Sequence, residues 1–296
     1  MTIGPTDEGR HPAGVETLWG ESWYFDFAAA DGSVGGYVRL GLYPNLGVAW
    51  YWAYLVRAGQ PLMAVRDHEV RLPRGKELEV RGEGLWSALN CEEPNTHWSL
   101  GLEAFAVAME DPADAYRGER GDRVGLGFDL EWEATGPVYP YSAVTRYEQP
   151  CDVHGEILTG DDRYWFEGPG QRDHSWGVRD WWAFPWCWTA GRLAEGTAFH
   201  GVTAPGFSTG YVGERGVSSV SVKTTLGEEG LPAAASLAVG DLTLDVVPVA
   251  HAPVLLEAPD GRLSRFPRAM CEFTAADGRR GVGWTEWLQP PGQPPA

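Results

Sequence analysis

Residues 21–40 read Glu-Ser-Trp-Tyr-Phe-Asp-Phe-Ala-Ala-Ala-Asp-Gly-Ser-Val-Gly-Gly-Tyr-Val-Arg-Leu. Two runs of aromatic and β-branched residues flank Asp31-Gly32, the turn chemistry of a β-hairpin. The pattern returns near the C-terminus. Glu272-Phe273-Thr274-Ala275-Ala276-Asp277-Gly278 repeats the acid, the Phe, two Ala and the Asp-Gly of Asp26-Phe27-Ala28-Ala29-Ala30-Asp31-Gly32 at the same spacing. Either the echo is a chance likeness between two Asp-Gly hairpins, or it marks two related β-domains or one sheet closed by terminal strands.

Short strand patterns fill the space between the two hairpins. In the first half they lie at residues 48–56, 63–66, 78–81 and 128–132, the last alternating apolar and acidic residues. Residues 102–109 carry a helical stripe, yet their neighbours are β-like, so the expectation is a strand running into one helical turn at Pro112–Tyr116. In the second half the strand patterns lie at 219–225, 242–249, 254–257, 269–273 and 283–288. Many short strands between Gly, Pro and Asp breaks predict an all-β sandwich or barrel. Proline punctuation at 137–140 and 149–150 places a domain boundary near residue 150, dividing the chain into 1–150 and 151–296. Residues 1–15 are expected to form a loose arm, and the Pro-rich tail 289–296 to be disordered.

Composition narrows the function classes. The 296 residues are 43% apolar and 12% aromatic, which is the make-up of a folded chain with a real core. A net charge of −18 repels phosphate backbones and anionic lipid heads, so nucleic acid and membrane surfaces are poor partners. No run approaches a membrane span, and the first 20 residues lack a secretory apolar core. Cys91, Cys151, Cys187 and Cys271 are far apart and read as reduced thiols, so the expected compartment is cytoplasmic. There is no G-x-G-x-x-G and no P-loop, and no nucleotide or other cofactor is expected.

The densest chemistry lies in residues 165–188, Trp-Phe-Glu-Gly-Pro-Gly-Gln-Arg-Asp-His-Ser-Trp-Gly-Val-Arg-Asp-Trp-Trp-Ala-Phe-Pro-Trp-Cys-Trp. Six of the chain's 15 Trp fall there, around Arg172, Asp173, His174 and Arg179. A carboxyl group or imidazole among indoles is desolvated, which moves its pKa toward a working value. Asp173 is the candidate acid and His174 its proton partner. Neighbours on a strand face opposite ways, so the two can share a cavity only if the glycines at 168, 170 and 177 break the strand. The competing reading pairs Asp173 and Asp180 with Arg172 and Arg179 as plain ion pairs. Trp182, Phe184, Trp186 and Trp188 alternate, predicting an aromatic face that is either core or pocket wall. Glu286, between Trp284 and Trp287, is a second candidate acid. No two His share a ligand spacing, so no metal is expected, and Ser175 has no nucleophile elbow around it.

Gly-Gln-Arg-Asp-His-Ser-Trp-Gly at 170–177, with Tyr147-Glu148-Gln149-Pro150 before it and Gly283-Trp284-Thr285-Glu286-Trp287 after it, resembles the hydroxyneurosporene synthase (carotenoid 1,2-hydratase) family. Its relatives are the AttH-like proteins and fungal Diels–Alderase-type cyclases. The resemblance runs from about residue 21 to 289. It implies two lipocalin-like β-barrel domains in tandem and carries over Asp173, His174, Trp176 and Gly177. The resulting expectation is a cofactor-independent acid-catalysed hydratase, isomerase or cyclase acting on a bulky apolar terpenoid-, steroid- or polyketide-like molecule. Arg172, Trp176, Arg179, Trp182, Trp186 and Glu286 would hold the substrate. The alternative is a non-catalytic carrier of lipophilic molecules.

Overall fold

The computed structural model describes residues 2–293, and strands dominate it. The first sheet contains β1 (Trp19–Ala28), β2 (Val34–Tyr43), β3 (Val48–Arg57), β4 (Leu62–Arg71), β5 (Leu78–Gly82) and β6 (Leu85–Glu93). It continues with β7 (His97–Met109), β8 (Asp122–Ala134), β9 (Tyr139–Pro140), β10 (Arg146–Thr159) and β11 (Asp162–Val178). The order is β4-β3-β2-β1-β11-β10-β8-β7-β6-β5, and a second pairing of β4 with β7 closes the sheet into a barrel.

The second sheet begins with β12 (Trp186–Leu193), β13 (Ala198–Ala204), β14 (Phe207–Val212), β15 (Arg215–Val217), β16 (Val220–Leu226), β17 (Pro232–Val239) and β18 (Leu242–His251). A small hairpin, β19 (Val254–Glu257) with β20 (Leu263–Phe266), stands apart. β21 (Arg268–Ala275) and β22 (Arg280–Leu288) complete the second sheet, in the order β15-β14-β13-β12-β22-β21-β18-β17-β16. The fold is all-β, with antiparallel lipocalin-like curled sheets. The expected strand at 102–109 and the turn Pro112–Tyr116 are both present.

Three apolar clusters explain the arrangement. Trp23, Phe25, Phe27, Trp98 and Trp132 fill the first barrel, and Phe199, Leu244, Phe273 and Trp287 fill the second sheet. A third cluster, including Tyr24, Tyr37, Trp52, Trp188 and Trp284, lies between the two. Each fully buried aromatic of this kind contributes roughly 1.5–3 kcal/mol. β1 is therefore buried on both faces, which is why its sequence shows no apolar–polar alternation. In the echoing hairpins, Phe27 and Phe273 occupy matching places inside their respective sheets, and Gly32 and Gly278 both take the positive φ that their turns require.

Three expectations change. The boundary near residue 150 falls inside β10, and the change of sheet lies between Val178 and Trp186, so the motif-bearing strand β11 belongs to the first sheet. Punctuating prolines do not divide this chain because Pro150 is tolerated within a strand, opposite Gln171. The glycines at 168 and 170 do not bend β11, whose register runs unbroken. They allow close approach instead: a Cβ on Gly170 would lie 2.3 Å from the Asp26 carbonyl.

The N-terminal residues are an anchored arm. A 3-10 turn, Pro5–Glu8, docks on the first barrel and buries Glu8. Its carboxylate accepts from Arg172 Nη1 at 2.9 Å and Nη2 at 2.6 Å, from the Tyr147 hydroxyl at 2.5 Å and from the Asn95 N–H at 2.7 Å. Gln289 at the other terminus pairs with Arg265, while residues 294–296 of the tail lie outside the described residues. Glu8→Ala strands the Arg172 guanidinium in the barrel and is expected to cost about 3–5 kcal/mol in urea denaturation. Glu8→Leu combined with Arg172→Met, which leaves no buried charge, recovers much of that loss.

Candidate functional site

Because β11 is regular, its side chains alternate between two worlds. Arg172 and His174 point into the first barrel, where His174 stacks on Trp23 at 4.4 Å. Asp173 and Ser175 point toward the second sheet. The expected acid–imidazole pair is thus split across the strand. Asp173 is paired with neither Arg172 nor Arg179: it accepts from Arg146 Nη2 at 2.8 Å. Arg172 is taken by Glu8, and Asp180 accepts from the Trp182 N–H.

A cleft of about 390 Å³ opens between the two sheets, a size ordinary for small-molecule sites. Arg39, Tyr43, Tyr141, Arg146, Ser175, Trp176 and Arg179 line it from the first sheet, the loop before β10 and the loop after β11. Phe184, Trp186, Trp188, Val202 and Phe207 line it from the other side. Of the residues expected at the site, Arg179 and Trp186 reach this wall; Trp176 borders it, with its indole on the barrel side stacked on His11 at 3.8 Å. Asp173 lies behind Arg146. Trp182 is buried elsewhere, its indole donating to the Leu256 carbonyl at 3.2 Å. Glu286 is buried and ion-paired with Arg268. The predicted aromatic strand face does not form, since residues 179–185 are loop and only Trp186 and Trp188 belong to β12.

Behind the wall lies a buried polar layer. Arg146 Nε donates to Glu148 Oε1 at 2.7 Å, so one guanidinium serves two carboxyl groups. Glu148 also accepts from Trp188 Nε1 at 3.0 Å and from Gln171 Nε2 at 3.1 Å. Burial opposes its charge, but Arg146 and these donors hold its pKa below the ordinary value. Asp173 has fewer partners. Burial pushes its pKa up, against Arg146 and helped by the neighbouring Glu148, so it is the carboxyl that keeps a proton longer.

Tyr141 joins this layer to the cleft. Its hydroxyl is 2.6 Å from His200 Nε2 and 3.0 Å from Glu148 Oε1. His200 donates its Nδ1–H to the Thr189 carbonyl at 2.9 Å, leaving Nε2 of the neutral ring as acceptor. Burial lowers the His200 pKa to about 4, against Glu148 and aided by Arg146. Tyr141, Arg146, Arg39 and His200 carried no motif. The signal that could have found Arg146 and Glu148 is the stretch Tyr147-Glu148-Gln149-Pro150, which contains Glu148 and directly follows Arg146.

The fold also gathers a donor set that sequence spacing concealed. His11, Glu21 and His174 bring one ligand atom each to within 4.8 Å of one another. Glu21 Oε1 lies 2.7 Å from His11 Nδ1 and 3.0 Å from His174 Nε2. The far nitrogen of His174 meets the Asp7 carbonyl at 2.8 Å, and that of His11 the Asp7 carboxylate at 3.3 Å. The group could hold a divalent ion, and as it stands its members satisfy one another by hydrogen bonds.

A His whose folded pKa is depressed binds its proton more readily when unfolded, so acid favours unfolding. The His200 contribution is intact above about pH 6.5 and is lost as pH falls toward 4, amounting to at most about 3 kcal/mol. Denaturant unfolding at pH 7, 6, 5 and 4 is expected to show a shallower decline in His200→Gln than in the natural protein.

The model of the DUF7064 family, a domain of unknown function, matches residues 4–291. No curated protein sequence matches the chain. Among solved structures, an AttH-type protein from Nitrosomonas europaea superposes with a TM-score of 0.64 at 15% identity, covering 97% of this chain and 96% of its own. CghA with Sch210972 gives 0.58 at 13% identity, over 93% and 89%. Kievitone hydratase from Nectria haematococca gives 0.56 at 9%, over 92% and 90%. These likenesses establish a shared fold and bear out the resemblance to AttH-like proteins and Diels–Alderase-type cyclases. The family match spans nearly the whole chain, and the protein is therefore a member of the DUF7064 family.

Proposed function

We propose that the inter-sheet cleft is an active site in which the chain's own side chains carry out acid–base chemistry on a bulky apolar small molecule. The reaction class is hydration, isomerisation or cyclisation. The observation that carries this reading is Tyr141: a side chain on the cleft wall whose hydroxyl is hydrogen-bonded to a neutral imidazole with its other nitrogen locked on a carbonyl. Such an arrangement lets Tyr141 take a proton from a bound molecule as its own passes to His200 Nε2, and return one to the molecule as the imidazolium gives its proton back. Arg146, on the same wall, is held by Glu148 and Asp173 and fixes the Glu148 carboxylate that meets the Tyr141 hydroxyl. Trp186 and Trp188 supply the apolar surface that holds the substrate and excludes water. Asp173, originally the candidate acid, becomes the group that sets the charge balance of Arg146.

That a hydratase and a cyclase share this fold supports the choice of reaction class. The carrier reading needs the same cleft without the proton path. To separate them, an apolar cell extract is incubated with the protein and with Tyr141→Phe, and the extracts are compared by mass spectrometry. The expected result is a product that gains one water, or keeps its mass with altered retention, formed at least about 10²-fold more slowly by Tyr141→Phe. Equal conversion by the variant removes Tyr141 from the chemistry. Ligand retained by both proteins without conversion establishes the carrier reading.

A further inference from the structure

The cleft wall carries three guanidinium groups in a protein whose net charge is −18. Arg146 is neutralised by Glu148 and Asp173. Arg39 and Arg179 are not: among the described residues, no carboxylate oxygen stands within 4.0 Å of either. Arg39 is only 5% exposed, and its Nη1 has no hydrogen-bond partner, while its Nη2 reaches only the Tyr43 hydroxyl at 3.3 Å. Aromatic faces hold it in place, Trp52 at 4.6 Å and Trp181 at 5.2 Å from the guanidinium carbon. Gly41 makes room beneath it, since a Cβ there would lie 2.5 Å from Nη1. Arg179 donates to Ser175 Oγ at 3.1 Å and stacks on the same Trp181 at 5.1 Å. The one carboxylate on the wall, Asp180, is engaged by the Trp182 N–H and faces Arg262 at 4.0 Å.

A desolvated guanidinium without a counter-charge is costly, and two beside a third repel one another. The arrangement is sustained when a ligand supplies the missing negative charge. Guanidinium groups match the planar, two-oxygen geometry of a carboxylate better than that of any neutral head group. We infer that the cleft takes amphiphilic molecules bearing a carboxylate, with the acid group held between Arg39 and Arg179 and the apolar body laid along Trp186, Trp188 and Phe184. The inference rests on the cleft being the substrate site and adds the chemical class of its occupant.

Decanoate and decan-1-ol share a chain and differ in the head, so they separate the two statements. Each is titrated against the full-length protein at pH 7.5 by displacement of the neutral dye Nile red, with Val202→Trp as a variant whose cleft is filled. The expected result is decanoate binding at least about tenfold more tightly than decanol, with both lost in Val202→Trp. Arg179→Gln, in the loop, and Arg39→Met are each expected to bring decanoate down to the level of decanol while leaving decanol unchanged. Equal affinities for the two molecules, both abolished by Val202→Trp, overturn the carboxylate inference and leave the cleft reading standing. Binding unaffected by Val202→Trp, or no binding of either molecule, overturns both. Circular dichroism of each variant confirms the fold, and Arg179→Gln decides the matter should Arg39→Met unfold.

Discussion

The pairing of β1 with β11 governs everything that the chain can do chemically. Successive side chains in an extended strand must face opposite ways, and these strands, distant in sequence, meet without a bulge from Trp19 with Val178 to Phe27 with Gly170. The alternation sends Arg172 and His174 to the barrel interior, where the N-terminal arm meets them. It sends Asp173 and Ser175 to the space between the sheets. A single adjacent pair of residues, Asp173-His174, therefore serves two unrelated environments. Sliding the register by one residue would exchange them, burying Asp173 against Trp23 and opening Arg172 to the cleft.

Polar burial is concentrated in those same two places. In the barrel mouth, Glu8 and Arg172 neutralise one another with Tyr147, Gln149 and Asn95 completing their hydrogen bonds. Between the sheets, Arg146 is shared by two carboxyl groups and Arg268 lies 3.6 Å over the Tyr37 ring while paired with Glu286. Hydrogen bonds from Trp284 to the Phe27 carbonyl and from Tyr37 to the Ala252 carbonyl cross the same interface at 2.9 Å each. Directional bonds fix how the two sheets sit against each other more narrowly than apolar contact alone does, since they are lost outright when their partners shift.

The fold class was legible because β-hairpin chemistry is local. Asp31-Gly32 and Asp277-Gly278 announce their turns, and strand patterns repeat between Gly and Pro breaks. The extent of the first sheet was not legible, since nothing in residues 146–178 distinguishes strands that close one barrel from strands that open another. On the cleft wall, Arg179 and Trp186 were anticipated because aromatic and charged residues crowd together in sequence there. Arg39, Tyr141, Arg146 and His200 were not singled out for the opposite reason: three sit in ordinary strands and Tyr141 in the loop before β10, and only the fold gathers them. Glu8, His11 and Glu21 show the same limit. A polar, Pro- and Gly-bearing N-terminus reads as a loose arm until a buried arginine more than a hundred residues away provides its counter-charge.

The docking of that arm has a consequence for how the chain is made. Glu8 and Arg172 are 164 residues apart in sequence, and β1 cannot gain its second neighbour until residues 162–178 have left the ribosome. While residues 44–161 are made, the growing polypeptide carries β1 with one edge unpaired and an arginine receptor for Glu8 not yet made. An open edge of aromatic strand is a template for joining other chains, and contacts this remote close slowly. Until residues 162–178 arrive, the nascent chain holds an edge open to self-association, which closure of the barrel removes.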